Sequence, residues 1–171
     1  PAWLGLPARL GEKKVWGLAA QLYSVRSRRS WGTGDLTDLA DLATWAGAEH
    51  DAAFVLVNPM HAAEPIPPME PSPYLPTSRR FANPLYLRVD RIPEYARLDA
   101  ATKAKIDRLG ETLDTTGDLI DRDRAWTAKL TALHLIHHRG TEPGREIAYR
   151  AFRSREGRTL EDFAAWCALS V

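Results

Sequence analysis

Apolar residues early in the chain come in short runs, and later they fall into helical spacing. Val15 to Tyr23, "VWGLAAQLY", is a mostly apolar run that ends in the polar "SVRSRRS", and it predicts a buried strand. The stretch "WGTGDLTDLADLATWAG" follows. There Asp35 can cap a helix whose inner face is Leu36, Leu39, Ala43 and Ala46. Asp38 falls in the first turn, where the positive end of the helix dipole favours a carboxylate, and Gly47 can end the helix. "AAFVLVNP", Ala52 to Pro59, is apolar almost throughout and β-branched in part, which predicts a strand buried on both faces in a parallel sheet. Strand, helix and strand in this order make one βαβ unit.

A proline-rich loop follows the second strand. Its segment "PSPYLPTSRRFANPLYL", Pro71 to Leu87, holds four prolines and three aromatics and reads as neither strand nor helix. Ligands of parallel α/β folds bind beyond the carboxyl ends of the strands, so the order of elements places this loop where a site belongs.

From Asp99 onward the pattern is helical. Ile106, Leu109 and Leu113 form one face, and Trp126, Leu130, Leu133 and His137 another, after a cap at Asp121. A third helix is expected from about Arg145 to Glu156, stopping at Gly157. A fourth is expected from Thr159, which has capping-box spacing to Asp162 and is followed by Phe163, Ala164, Trp166 and Cys167. The residues alone thus predict an α/β start followed by a small helical subdomain. Two strands cannot make a self-sufficient parallel sheet, so exposed strand edges or pairing with something outside this chain are expected.

Composition narrows the function. The 171 residues carry a formal net charge of +1, which favours neither nucleic acid nor membrane surfaces as partners. No apolar run is long enough to span a bilayer, and no signal peptide is apparent. The single cysteine excludes an internal disulfide and gives no zinc pattern, which fits a reducing, cytoplasmic setting. The chain starts at Pro1 rather than methionine and is expected to be a piece of a longer one.

The motifs, taken in order, resemble a known family. "WGLAAQLYSVRSRRSWGTGDLTDLADLATWA", "FVLVNPMHA" and "SPYLPTSRRFANPLYL" are similar to the 4-alpha-glucanotransferases, the amylomaltases or disproportionating enzymes of glycoside hydrolase family 77. Gly34-Asp35-Leu36, Asn58-Pro59, Ser72-Pro73-Tyr74 and Asn83-Pro84 carry the likeness. "AWTAKLTAL" and "AFRSREGRTLEDFAAWCALS" resemble the family's helical insertion. The resemblance implies an incomplete TIM barrel, with residues 1–98 as the start of the (β/α)8 barrel and its substrate loop, and residues 99–171 as an inserted helical subdomain. It implies an enzyme that cuts an α-1,4 glucan and passes the fragment to the 4-hydroxyl of an acceptor sugar, with retention, through a covalent glycosyl-enzyme. That chemistry asks for two carboxyl groups roughly 5 Å apart and needs no metal or organic cofactor. The implied partners are maltooligosaccharides and the remainder of the same catalytic domain.

The family's nucleophile lies in an Arg-x-Asp motif on a later strand. Arg88-Val89-Asp90 matches the letters but stands directly after Asn83-Pro84, and it reads as an exposed charged segment after a short strand. No catalytic residue is therefore assigned here, and the chain falls short of the roughly 250 residues of a whole barrel. The substrate-binding candidates are Tyr74, Ser72 and Asn83. A tyrosine offers a flat face to a sugar ring and a hydroxyl to its rim, and Pro73 restricts the backbone before it. The resemblance places Tyr74 at the donor subsite. Ser72 and Asn83 can bond sugar hydroxyls but also suit the turns they occupy.

Other features have plainer readings. His134, His137 and His138 have the spacing of metal pairs, but nothing nearby completes a set, so they read as helix histidines. His61 could face the cleft. Arg26 to Arg29 reads as a solvated loop. Trp45, Trp126 and Trp166 read as core, which leaves Trp31 as a tryptophan that could stack on sugar. A non-catalytic glucan-binding module and a generic helical interaction domain are the alternatives.

Overall fold

The computed structural model describes residues 14–113, 117 and 119–170. Strands β1 (Gly17–Ala20) and β2 (Phe54–Val57) pair in parallel, Gly17 opposite Phe54 and Ala20 opposite Val57. Helix α1 (Leu36–His50) joins them, giving the expected βαβ unit. Asp35 caps α1 with a full capping box: its carboxylate accepts from Thr37 N and Asp38 N, and Asp38 reaches back to Asp35 N. Gly47 does not end the helix. The chain runs on to His50 and turns at Asp51, which takes a left-handed conformation (φ 54°). An Asp tolerates that conformation better than most residues, so glycine was not required.

The proline-rich segment departs from its reading as irregular. His61–Ala62 (β3) and Ser78–Ala82 (β4) pair antiparallel and close the loop at its base. Asn83 then caps a short 3-10 turn, Pro84–Tyr86, by accepting from Leu85 N at 2.9 Å. The sequence signal for β4 is weak because "SRRFA" carries two arginines and is exposed on much of its length.

Helix α3 (Arg122–His138) starts at the expected cap, Asp121, and α2 (Ala100–Glu111) at Asp99, which caps it by accepting from Thr102 N. Helix α4 spans Pro143–Glu156 and α5 Arg158–Leu169. Helix α5 has no side-chain cap: Gly157 precedes it at φ 60°, and Thr159 lies inside the helix, where Arg158 pairs with Asp162 instead. Among the described residues, no helix is long and apolar enough to cross a membrane.

The main core lies where α2 and α3 meet the loop after β1. Trp31, Val89, Leu98, Ile106, Ala132 and Ile136 pack there. Trp31 is therefore a core residue, 9% exposed, with its indole against Gly110; a Cβ on Gly110 would stand 2.5 Å from the ring. A second cluster joins Met69, Leu85, Ala125 and Trp126. Both clusters unite residues from before and after position 98.

Two expectations about burial fail. Strand β2 is not covered on both faces: Phe54 is 50% and Leu56 63% exposed. Trp45 stands half exposed on α1, edge-on to His50, and Trp166 is packed only in part, beside Phe163.

A buried ionic knot fixes the loop between β1 and α1. Arg88, read from sequence as part of an exposed segment, is almost fully buried, as is Val89. Its guanidinium donates to Asp35 at 2.5 Å, to Asp38 at 2.8 Å and to the carbonyl of Arg29 at 2.9 Å. Two carboxylates held by helix-cap bonds need a cation once they are buried, and Arg88 supplies it. Ser27 and Ser30 donate to Asp38, each at 2.7 Å. Arg28 and Arg29 are solvated as expected, Arg29 pairing with Asp90, whereas the Arg26 guanidinium donates to the Gly117 carbonyl.

Candidate functional site

The carboxyl ends of β1 and β2 are tied together by one side chain. Asn58, the residue after β2, accepts from Leu22 N at 2.6 Å and donates to the Tyr86 hydroxyl at 3.0 Å. It is buried, so the amide links both strand ends to the turn that follows β4. Burial pushes the Tyr86 phenol up, partly offset by the Asn58 bond and the Arg122 charge.

The loop between β3 and β4 covers these strand ends. Tyr74 is 58% exposed, and its hydroxyl stands 3.4 Å from the Gln21 amide, the residue directly after β1. The ring is thus open to solvent at the strand tips. Ser72 holds the turn before it: Ser72 Oγ accepts from Tyr74 N at 3.3 Å, and Glu70 accepts from Ser72 N at 2.9 Å. Asn83 N donates to the Met60 carbonyl at 2.9 Å, and Asn83 Oδ1 serves the turn already described.

A small groove, about 20 Å³ in free volume, lies beside Tyr74. Ser72 and Asn83 both line it, together with Tyr23, His61, Glu70 and Arg122. Tyr74 stands at its edge, between lining residues Pro73 and Leu75. The structure therefore brings two of the three candidates into one groove and sets the third beside it. His61 joins them, while Trp31 does not. Asp90 lies on Arg29 and lines no part of this groove.

The sequence reading did not anticipate Gln21, Tyr23, Glu70 or Arg122 here. Tyr23 and Gln21 could have been found as polar residues ending an apolar strand. Arg122 carries a subtler signal, a cation in the first turn of a helix, where the dipole disfavours it.

Comparison with known proteins identifies the family. The sequence profile of glycoside hydrolase family 77, described as 4-alpha-glucanotransferase, matches residues 20–171. A 4-alpha-glucanotransferase of Mycobacterium tuberculosis is 58% identical over 99% of this chain and 24% of that protein. One from Haemophilus influenzae is 40% identical over 74% of this chain and 18% of that protein. The crystal structure of amylomaltase from Corynebacterium glutamicum superposes with a TM-score of 0.86 at 43% identity, covering 94% of this chain and 23% of that one. The chain thus spans about a quarter of the length of the Mycobacterium and Corynebacterium proteins. By profile, sequence and fold, this chain belongs to the 4-alpha-glucanotransferase family, glycoside hydrolase family 77.

Proposed function

We propose that this chain forms one wall of the glucan-binding cleft of a 4-alpha-glucanotransferase. In this reading residues 1–98 begin a TIM barrel and residues 99–171 form a helical subdomain inserted in it. The full-length enzyme transfers α-1,4-glucan segments to the 4-hydroxyl of an acceptor sugar by a retaining double displacement, in the cytoplasm. The nucleophile and the acid/base belong to polypeptide outside these residues, and this chain supplies binding surface only. Maltooligosaccharides and the rest of the catalytic domain are its partners.

The observation that carries the reading is the place of Tyr74. Its ring is open to solvent, bonded to Gln21, at the carboxyl ends of a parallel strand pair, where α/β folds bind ligands. The barrel is supported by β2, whose exposed Phe54 and Leu56 are apolar surface that further elements would cover. An exposed aromatic face stacks on a sugar ring, and a fixed loop reduces the entropy lost on binding.

The test uses the full-length enzyme and maltotriose. Disproportionation to glucose and longer chains is expected. Tyr74→Ala is expected to lower kcat/KM at least about tenfold, equivalent to about 1.4 kcal/mol of lost binding. Tyr74→Phe keeps the ring and should be milder. An unchanged kcat/KM in Tyr74→Ala would sink the assignment, and transfer by the isolated 171 residues would sink the claim that the carboxylates lie elsewhere.

A further inference from the structure

We propose that Arg122, opening helix α3, is a substrate-contacting residue that donates hydrogen bonds to the hydroxyls of a glucan lying across the mouth of the groove beside Tyr74. The proposal rests on the glucan-binding reading of that groove and adds a second wall to it, from the helical part of the chain.

Three observations carry it. First, Arg122 lines the groove together with Ser72 and Asn83, and its guanidinium lies over the Tyr23 ring at 5.0 Å from the centroid. Among the described residues, no side-chain hydrogen bond takes up its N–H donors. Arg122 forms no ion pair among the described residues.

Second, the first turn of α3 is docked rigidly on the proline-rich loop. Asp123 accepts from Met69 N at 2.7 Å, and Trp126 Nε1 donates to the Pro65 carbonyl at 2.9 Å. The backbone under Arg122 is thereby fixed relative to Ser72, which reduces the ordering needed when a sugar enters.

Third, the position is poor for helix stability. A guanidinium in the first turn opposes the macrodipole, and here Asp121 at the cap and Asp123 in the same turn offset that only in part. Neighbouring Arg124 is a useful contrast, because it is used structurally and donates to the Thr112 carbonyl.

The groove also selects the kind of ligand. Glu70 also lines it, and a carboxylate there disfavours an anion such as phosphate. A neutral, hydroxyl-rich ligand can use both groups, accepting from the guanidinium and donating to the carboxylate.

The experiment compares Arg122→Met, Arg122→Lys and Tyr74→Ala in the full-length enzyme, with maltotriose as substrate and inorganic phosphate as competitor. Arg122→Met is expected to raise KM about tenfold, with kcat within about twofold and a melting temperature equal to or above the parent's. Arg122→Lys keeps the charge but loses the planar fork, and its KM should also rise. An unchanged KM in a folded Arg122→Met overturns the proposal. So does a parental KM in Arg122→Lys, or competition by phosphate that Arg122→Met abolishes. If Tyr74→Ala is impaired and Arg122→Met is not, the Arg122 role alone fails. If neither is impaired, the groove itself is misread.

Discussion

Replacing Arg88 by Met tests the buried ionic knot most directly. In the folded protein the Arg88 side chain is 4% exposed, Asp35 is fully buried and Asp38 is 2% exposed. Burial works against the guanidinium charge, but the two carboxylates outweigh it and push the Arg88 pKa up. Methionine preserves the apolar stem and removes all three donations, to Asp35, Asp38 and the Arg29 carbonyl. Two carboxylates then remain buried next to each other, still held by the α1 cap bonds. Breaking a buried pair in this way destabilises by about 3–5 kcal/mol, because the remaining charge stays desolvated. Adding Asp35→Asn and Asp38→Asn should restore more than half of the loss, since Asn still caps a helix and carries no charge. The assay is urea unfolding of the full-length enzyme, read by tryptophan fluorescence, with Trp31 as the nearby reporter. Arg150→Gln, at an exposed pair with Glu146, is the control and should not move the midpoint. A loss below about 1 kcal/mol for Arg88→Met, the size of an average substitution, would refute the reasoning.

Further outcomes follow from single residues. Lys129 is buried beside Asp35, Asp38 and Arg88, donates to the Leu85 carbonyl at 2.5 Å, and is pushed down to about 8 by burial. The folded form therefore releases a proton that the unfolded chain keeps between about pH 8 and its ordinary 10.5, so stability should rise across that window by about 3 kcal/mol, and Lys129→Met should flatten the rise in unfolding measured against pH. Asn58→Ala strips partners from Leu22 N and the Tyr86 hydroxyl and should cost about 1–3 kcal/mol in urea unfolding, with a fall in transfer activity. Gly34→Ala would place a Cβ 2.0 Å from the Leu22 carbonyl oxygen and 2.3 Å from that of Val25; backbone cannot yield cheaply, so a loss of about 3 kcal/mol or more is expected, seen as a lowered melting temperature.

Elements governed by local chemistry were legible. The caps at Asp35 and Asp121 start helices where their side chains satisfy orphan N–H groups, and the apolar spacing of Ile106 and Trp126 marks buried faces. Features governed by distant contacts were not. Nothing near Arg88 in sequence announces that it meets Asp35, 53 positions away, and so it passed for a surface charge. Trp31 precedes a glycine in a loop and looked available for stacking, but the space beside Gly110 accommodates it in the core. Strand β4 was hidden because its partner, β3, is two residues long and its own arginines face outward. In the groove, Tyr74 and Ser72 stood out as parts of a motif, whereas Tyr23 and Arg122 meet only through the docking of α3.

The uncovered surface and the site share one physical origin. Helices α4 and α5 bury no residue. They are held to the body by the Arg145–Glu94, Arg97–Glu142 and Arg80–Glu156 pairs and by Phe81 stacked on Phe163. Ion pairs with a solvated arginine contribute little, so among the described residues the Phe81–Phe163 stack is the main apolar tie of α5 to the body. Ile147, Tyr149 and Leu169 stay exposed there, as Phe54, Leu56 and Trp45 do on the sheet side. Trp31 together with residues 69–136 carries both hydrophobic clusters, and the groove is attached to them. A binding wall must keep its shape before ligand arrives, and the groove residues accordingly stand on the part of the chain whose packing is already complete. The apolar face left open at Phe54 and Leu56 is the one that the proposed barrel would cover.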